Sequence, residues 1–286
     1  PFWLKPPCSP WHLFARSVRR SASQRWQTMG GAKRPAGAAA EVRAKKQARA
    51  DEEEPAATRR DGMLGVEEAK AYFEANGVKV HVPEGKDVDI TPLSGFRVKG
   101  FAKRLIKYCE GKFEKPTPIQ ACCWPLIMQR TDLCGIAKTG SGKTMAFALP
   151  YLSMSRKGAL EVFEQPTHMP RFVAMAPTRE LAMQISEVCK DLAKALEPEV
   201  SYPVHCVYGG VPKREQRAAL EAEGIDMLVA TPGRLQDLAD EGTLDLSYVQ
   251  YLVLDEADRM LDMGFIDVVK ALIGKMPKAG ERQTCM

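Results

Sequence analysis

The chain has 286 residues, 45% hydrophobic and 27% charged, a balance that supports one sizeable core with residues left over for a tail. Its net charge of +5 is unevenly placed: residues 1–61 carry 13 Lys and Arg against 6 Asp and Glu, while residues 62–286 carry 28 against 30. No apolar run approaches the length that spans a bilayer. The later region is not broadly basic, so a polyanion site there has to be a local arrangement of a few cations and backbone amides.

From the start of the chain to Glu41 there is no acidic residue, and Arg, Ser, Pro and Trp are frequent. Over residues 1–28 this composition fits an organellar transit peptide, or equally a stretch that does not belong to the mature protein. Lys33-Arg34, ten intervening residues and Lys45-Lys46-Gln47-Ala48-Arg49 form two basic clusters. Residues 33–49 therefore read as a bipartite signal for a nuclear import receptor, or as a solvated basic arm. Asp51-Glu52-Glu53-Glu54 and the Ala and Pro around it extend the expected disorder, so residues 1–65 are read as a basic, low-complexity tail. The eight cysteines lie mostly in apolar segments without C-x-x-C spacing, as reduced thiols of a cytosolic or nuclear protein would.

Residues 66–91 form a peripheral extension, with a short amphipathic helix from Val66 and an alternating, strand-like Val78 to Val82. Residues 92–286 form the main domain. Apolar residues from Phe101 onward recur at helical spacing, and Phe113-Glu114-Lys115-Pro116-Thr117-Pro118-Ile119-Gln120 follows. Leu133 to Ala137 then reads as a strand, Ala137-Lys138-Thr139-Gly140-Ser141-Gly142-Lys143-Thr144 as a glycine turn, and Met145 onward as a helix. Small residues in such a turn let successive N–H groups face a phosphate chain at a helix N-terminus. Lys143 would reach the β- and γ-phosphates and the Thr144 hydroxyl would ligate Mg²⁺.

Phe113 to Gln120 together with Ala137 to Thr144 resembles the Q motif and Walker A loop of DEAD-box RNA helicases, a family that itself has alanine where Ala137 stands. The resemblance implies a RecA-like P-loop NTPase domain of the α/β class, a mostly parallel sheet with helices on both faces. It further implies ATP and Mg²⁺ as cofactors, Gln120 on the adenine edge, Phe113 packed on the adenine ring, and a second aromatic upstream, for which Phe96 is the candidate. An amide side chain suits that edge because it offers a donor and an acceptor together.

Strands and helices keep alternating downstream. Phe172 to Ala176 is a buried strand, and Pro177-Thr178-Arg179-Glu180 resembles the family's motif Ia. Val204 to Tyr208 ends at Gly209-Gly210, the family's paired glycines. Met227 to Ala230 leads to Thr231-Pro232-Gly233-Arg234, its motif Ib. All three links fall where strands end and helices begin, which puts their hydroxyls, amides and cations on one sheet edge. Pro177, Thr178, Arg179, Gly210, Thr231, Gly233 and Arg234 are the expected contacts to an RNA sugar-phosphate backbone, held without base reading. Arg179 has a structural alternative inside the domain.

Tyr251 to Leu254 is an apolar strand ending in Asp255-Glu256-Ala257-Asp258. Asp255 can hold Mg²⁺ through water, and Glu256 can orient or deprotonate the attacking water. Lys143, Asp255 and Glu256 are thus the expected catalytic set. The last residues, Arg282 to Met286, resemble the strand that in the family precedes a Ser-Ala-Thr motif. That motif and the second RecA-like lobe, which carries the arginine finger, are not in these 286 residues. The resemblance as a whole implies the first lobe of a monomeric nuclear helicase, nucleolar if its kinship is with ribosome-assembly members. The lone lobe is expected to bind nucleotide and unwind poorly.

Overall fold

The computed structural model describes residues 62–82, 90–156, 168–198 and 200–286, together with a two-residue strand at Phe2–Trp3 (β1). The proposed import signal and transit peptide lie outside the described residues. Helix α1 (Val66–Asn76) ends at Gly77 in a left-handed conformation, and only Val78–Lys79 (β2) of the expected strand-like piece is extended, paired in parallel with β1.

The main domain is a parallel sheet of β3 (Phe172–Met175), β4 (Val204–Val207), β5 (Met227–Ala230), β6 (Tyr251–Leu254) and β7 (Gln283–Cys285) in the order β4-β5-β3-β6-β7. Every residue of β3, β5 and β6 is buried, as in a parallel sheet covered on both faces. Leu133 to Ala137 is not a full strand. Leu133 instead makes an isolated parallel bridge to Cys285, with N–H groups of Leu133 and Gly135 donating to the carbonyls of Thr284 and Met286. That places the approach to the glycine turn at the edge beyond β7.

Alternation along the strands splits the core in two. Phe172, Met227 and Tyr251 share one register row and face a cluster completed by α2 (Lys103–Lys112), α3 (Pro118–Met128), α4 (Lys143–Arg156) and α5 (Arg179–Lys194). Val173, Leu228 and Leu252 form the next row and face α6 (Lys213–Glu223), α7 (Pro232–Asp240), α8 (Ala257–Asp262) and α9 (Ile266–Gly274). The rings of Phe172 and Tyr251 stack with centroids 5.6 Å apart, and the Tyr251 hydroxyl donates to the Phe147 carbonyl, fastening α4 to the sheet.

At the N-terminal ends of the strands Asp226 is buried between the Tyr151 hydroxyl (2.8 Å) and the Arg171 guanidinium (2.7 Å from Nε). Burial pushes its carboxyl above the usual range, opposed by the Arg171 charge. Phe96, the candidate for the upstream aromatic, is a core residue, 5% exposed with its ring 6.1 Å from that of Trp124. The seven described cysteines are free, and all but Cys134 and Cys206 are buried. Among the described residues no helix is long and apolar enough to cross a membrane.

Candidate nucleotide site and polyanion edge

The glycine turn gets its shape from two residues with positive φ, Gly140 at 78° and Gly142 at 88°. At Gly142 a side chain is doubly excluded: a Cβ there would lie 2.4 Å from Gln120 Nε2. Lys143 and Thr144 open α4, and the Lys143 ammonium folds back to donate to the Ala137 carbonyl at 2.8 Å. The Ser141 hydroxyl is buried and has no hydrogen-bond partner among the described residues. A buried orphan hydroxyl and an ammonium resting on a mere backbone carbonyl are groups waiting for an acceptor, which a phosphate chain supplies.

Gln120 is almost fully buried beside this turn. Its Nε2 donates to the Gly142 carbonyl at 3.2 Å and its Oε1 accepts from the Thr117 N–H at 3.1 Å. Each end of the amide thus makes one bond within the protein, which leaves a second N–H and a second oxygen lone pair for an adenine edge. Thr117 belongs to the same cluster; its Oγ1 is buried without a hydrogen-bond partner among the described residues. The Thr-x-x-Gln spacing of a helix N-cap was the signal in the sequence for this pair. Phe113 caps α2 and stays 45% exposed, an aromatic face open to solvent.

Asp255 and Glu256 leave the end of β6 toward the same site. Asp255 is 8% exposed, and its Oδ1 accepts only the adjoining Glu256 N–H, at 3.2 Å. Burial raises its carboxyl pKa, the Lys143 ammonium opposes the rise, and Glu256 adds to it. The Lys143 ammonium of the turn thus acts on the Asp255 carboxyl at the end of β6. Glu256 adopts a left-handed backbone at φ 50°, ψ 47°, uncommon for a residue with a side chain, and α8 starts directly after it. Its carboxylate receives Arg259 Nη1 at 3.3 Å. Among the described residues no three His, Cys, Asp or Glu cluster as a metal cage. Mg²⁺ needs no cage when phosphates and water complete its shell, and the Thr144 hydroxyl with the Asp255 carboxylate is a hard-oxygen donor pair of the right kind.

Farther along the edge, Pro177 is buried and Thr178 caps α5, its Oγ1 accepting from the Leu181 N–H at 3.3 Å. Arg179 is exposed and lies over the Tyr208 ring, 5.0 Å from its centroid, beside Gly210. Thr231 precedes α7 without making a side-chain cap bond, and Gly233 has open space around it. Arg234 departs from expectation. It is 8% exposed, with Nη1 donating to Gln216 Oε1 at 2.6 Å and Nη2 to the Val211 carbonyl at 2.9 Å. Rather than a free cation for a phosphate, it is the bolt that ties α7 to the loop after Gly209-Gly210. Nothing in the spacing of the sequence pointed to Tyr208 and Gln216 as the partners of these two arginines.

A family model described as DEAD/DEAH box helicase matches residues 117–286. The chain is 43% identical over 222 residues to the ATP-dependent RNA helicase dbp3 of Sclerotinia sclerotiorum, covering 77% of this chain and 35% of that protein. To the DBP3 of Saccharomyces cerevisiae it is 43% identical over 215 residues, 75% of this chain and 38% of that one. Among solved structures, Prp28 of Chaetomium thermophilum bound to ADP aligns with a TM-score of 0.66 at 32% identity, over 80% of this chain and 52% of that chain. The yeast DEAD-box splicing factor Prp28 gives 0.67 at 32%, over 78% and 51%. The chain spans little more than a third of the curated relatives it matches.

Proposed function

Because the chain belongs to the DEAD/DEAH box helicase family, with Asp255-Glu256-Ala257-Asp258 spelling the first of those signatures, we propose that it is the nucleotide-binding RecA-like lobe of an ATP-dependent RNA helicase. The observation that carries this proposal is the meeting of the phosphate turn with the acidic strand end. The Lys143 ammonium, resting on the Ala137 carbonyl, opposes the rise that burial imposes on the Asp255 carboxyl.

In this reading the Lys143 ammonium leaves the Ala137 carbonyl for the β- and γ-phosphates, and the inward N–H groups of Gly140 to Lys143 take the remaining oxygens. Thr144 and Asp255 hold Mg²⁺, which when bound neutralises charge on the β- and γ-phosphates. Glu256 orients the attacking water and accepts its proton. Phe113 offers its exposed face to the adenine. Gln120, already bonded to the turn at Gly142, carries the presence of a base to the phosphate loop.

The RNA backbone lies along the edge formed by Thr178, Arg179, Gly210, Thr231 and Gly233, with Arg234 fixing the geometry from below. RNA as the polymer follows from the relatives' names, and nuclear or nucleolar residence from the import-like residues 33–49. The arginine finger of a second lobe is worth roughly 10³–10⁵ in rate in related phosphoryl transfer. Residues 1–286 alone are therefore expected to bind nucleotide and to hydrolyse it slowly.

Glu256→Gln in the full-length protein tests the assignment. RNA-stimulated phosphate release should fall by about 10²–10⁴ while nucleotide affinity stays within about threefold, because binding does not need the base. Release that persists at the wild-type rate overturns the enzymatic role. Appreciable duplex unwinding by residues 1–286 alone would overturn the division of labour between lobes.

A further inference from the structure

Of the two carboxylates that leave β6, Asp255 feels the Lys143 ammonium, and Glu256 has a cation of its own. Arg259 Nη1 donates to Glu256 Oε2 at 3.3 Å, the two side chains being 57% and 24% exposed. A pair this open adds little to the stability of the fold. Its effect has to be sought in where it holds the carboxylate.

The local backbone explains why a holder is needed. Glu256 stands at the N-cap of α8 in a left-handed conformation, and its side chain makes no cap bond. The first N–H groups of any helix lack helical partners, so those of α8 compete for that carboxylate. Arg259, in the same turn, meets the competition with a charge-assisted bond. Crowding adds to the need: the charges of Glu256 and Asp258 both push the Asp255 carboxyl up, so three carboxylates share this strand end. Mutual repulsion and the rotamer freedom of a glutamate would otherwise leave Glu256 many poses.

Helix stability does not account for the arginine. A cation in the first turn stands against the helix dipole. Asp262 lies at the i+3 spacing that helical ion pairs use, yet the guanidinium bonds to Glu256 and makes no other side-chain hydrogen bond or ion pair among the described residues. The bond occupies Oε2 alone. Glu256 Oε1 has no hydrogen-bond partner among the described residues, so one oxygen is tethered and the other is open. A base that must both orient a water and take its proton needs this division.

We infer that Arg259 is a positioning residue for the proposed hydrolysis: it fixes the Glu256 carboxylate so that the open oxygen meets the attacking water, and it touches neither nucleotide nor RNA. The inference rests on Glu256 being the base.

The test measures phosphate release by the full-length protein at saturating single-stranded RNA. Arg259→Ala should lower kcat about fivefold to tenfold and leave KM for ATP within about twofold, because only the reacting geometry is disturbed. Arg259→Lys, which keeps the charge, should return to within about threefold of the wild-type kcat. The urea midpoint should not move in either variant, since the side chain is mostly exposed. In a Glu256→Gln background, Arg259→Ala should change single-turnover hydrolysis by less than about twofold, as two residues acting through one group do. An arginine that only supported the fold would lower both backgrounds alike. Unchanged or raised kcat in Arg259→Ala overturns the positioning role. A full loss repeated in the Glu256→Gln background, or weakened RNA affinity with kcat kept, overturns it in favour of a contact elsewhere. If Glu256→Gln itself releases phosphate at the wild-type rate, the enzymatic reading has failed, and the inference falls with it.

Discussion

The phosphate turn and the Thr178–Gly210–Thr231 edge sit at the same end of the sheet, and both lead into helices, yet their polar groups are in opposite states. Around the turn they are largely unspent: Ser141 has no partner among the described residues, Lys143 rests on a carbonyl, and Asp255 accepts one neighbouring N–H. Along the edge they are committed, with Thr178 capping α5, Arg179 over Tyr208 and Arg234 locked to Gln216 and Val211. A phosphate chain in the first region is held by side chains and by backbone together. In the second, side chains hold the loops in place and the backbone does most of the presenting.

Exchanging the two arginines' roles is the strongest way to break this contrast. Arg234→Ala removes a buried, doubly bonded guanidinium and should lower stability by about 2–4 kcal/mol, seen as a shift of the urea midpoint. RNA affinity should fall while nucleotide affinity is kept. Arg179→Ala should leave the midpoint nearly unchanged, and the slope of log affinity against log salt for single-stranded RNA should shrink by about 0.7. If Arg179→Ala unfolds the domain and Arg234→Ala does not, the assignment is reversed.

The turn itself can be sharpened with two alanines. Gly140→Ala incurs only the left-handed backbone penalty of about 1–2 kcal/mol, because nothing lies within 4 Å of the added Cβ. Gly142→Ala carries the same penalty and also displaces Gln120. Its nucleotide affinity, measured by fluorescence of a labelled ADP, should therefore fall further than that of Gly140→Ala, by about tenfold or more. Equal losses would mean that Gln120 contributes nothing to the turn.

Smaller still is Phe113→Ala. With the ring already exposed, stability should stay within about 0.5 kcal/mol, and adenine nucleotide affinity should drop about fivefold to tenfold from lost stacking. Affinity for inorganic triphosphate should not change.

The smallest expected effect lies outside both regions. His205, on edge strand β4, donates from Nε2 to the Gly224 carbonyl at 2.9 Å, and burial holds its pKa below 6.5 despite Glu223 nearby. The folded state therefore binds fewer protons than the unfolded one just below that value. Stability is complete above pH 6.5 and is lost as pH falls through the window beneath it. His205→Gln should flatten that part of the curve in chemical denaturation.

Much of this was legible from residues alone. Short uniform apolar runs such as Met227 to Ala230 and Tyr251 to Leu254, set among helical patterns, read as strands buried on both faces, and glycine at 140 and 142 announces a turn few other residues make without strain. Leu133 to Ala137 was harder, because a partly exposed edge pairs by isolated hydrogen bonds that leave little periodicity. The burial of Phe96 and of Arg234 was hidden for one reason. An aromatic or a cation looks the same in a sequence whether it faces ligand or core.

Taken by itself, the sequence determined the order of strand, turn and helix, the chemistry of each loop and the edge on which the loops gather, since these depend on local conformation and on the direction in which a parallel strand ends. Only the tertiary structure decided which polar groups remain free to meet a ligand. How Arg234 and Gln120 are held depends on Gln216, Val211 and Gly142, brought within 3.2 Å or less by packing rather than by adjacency in the chain.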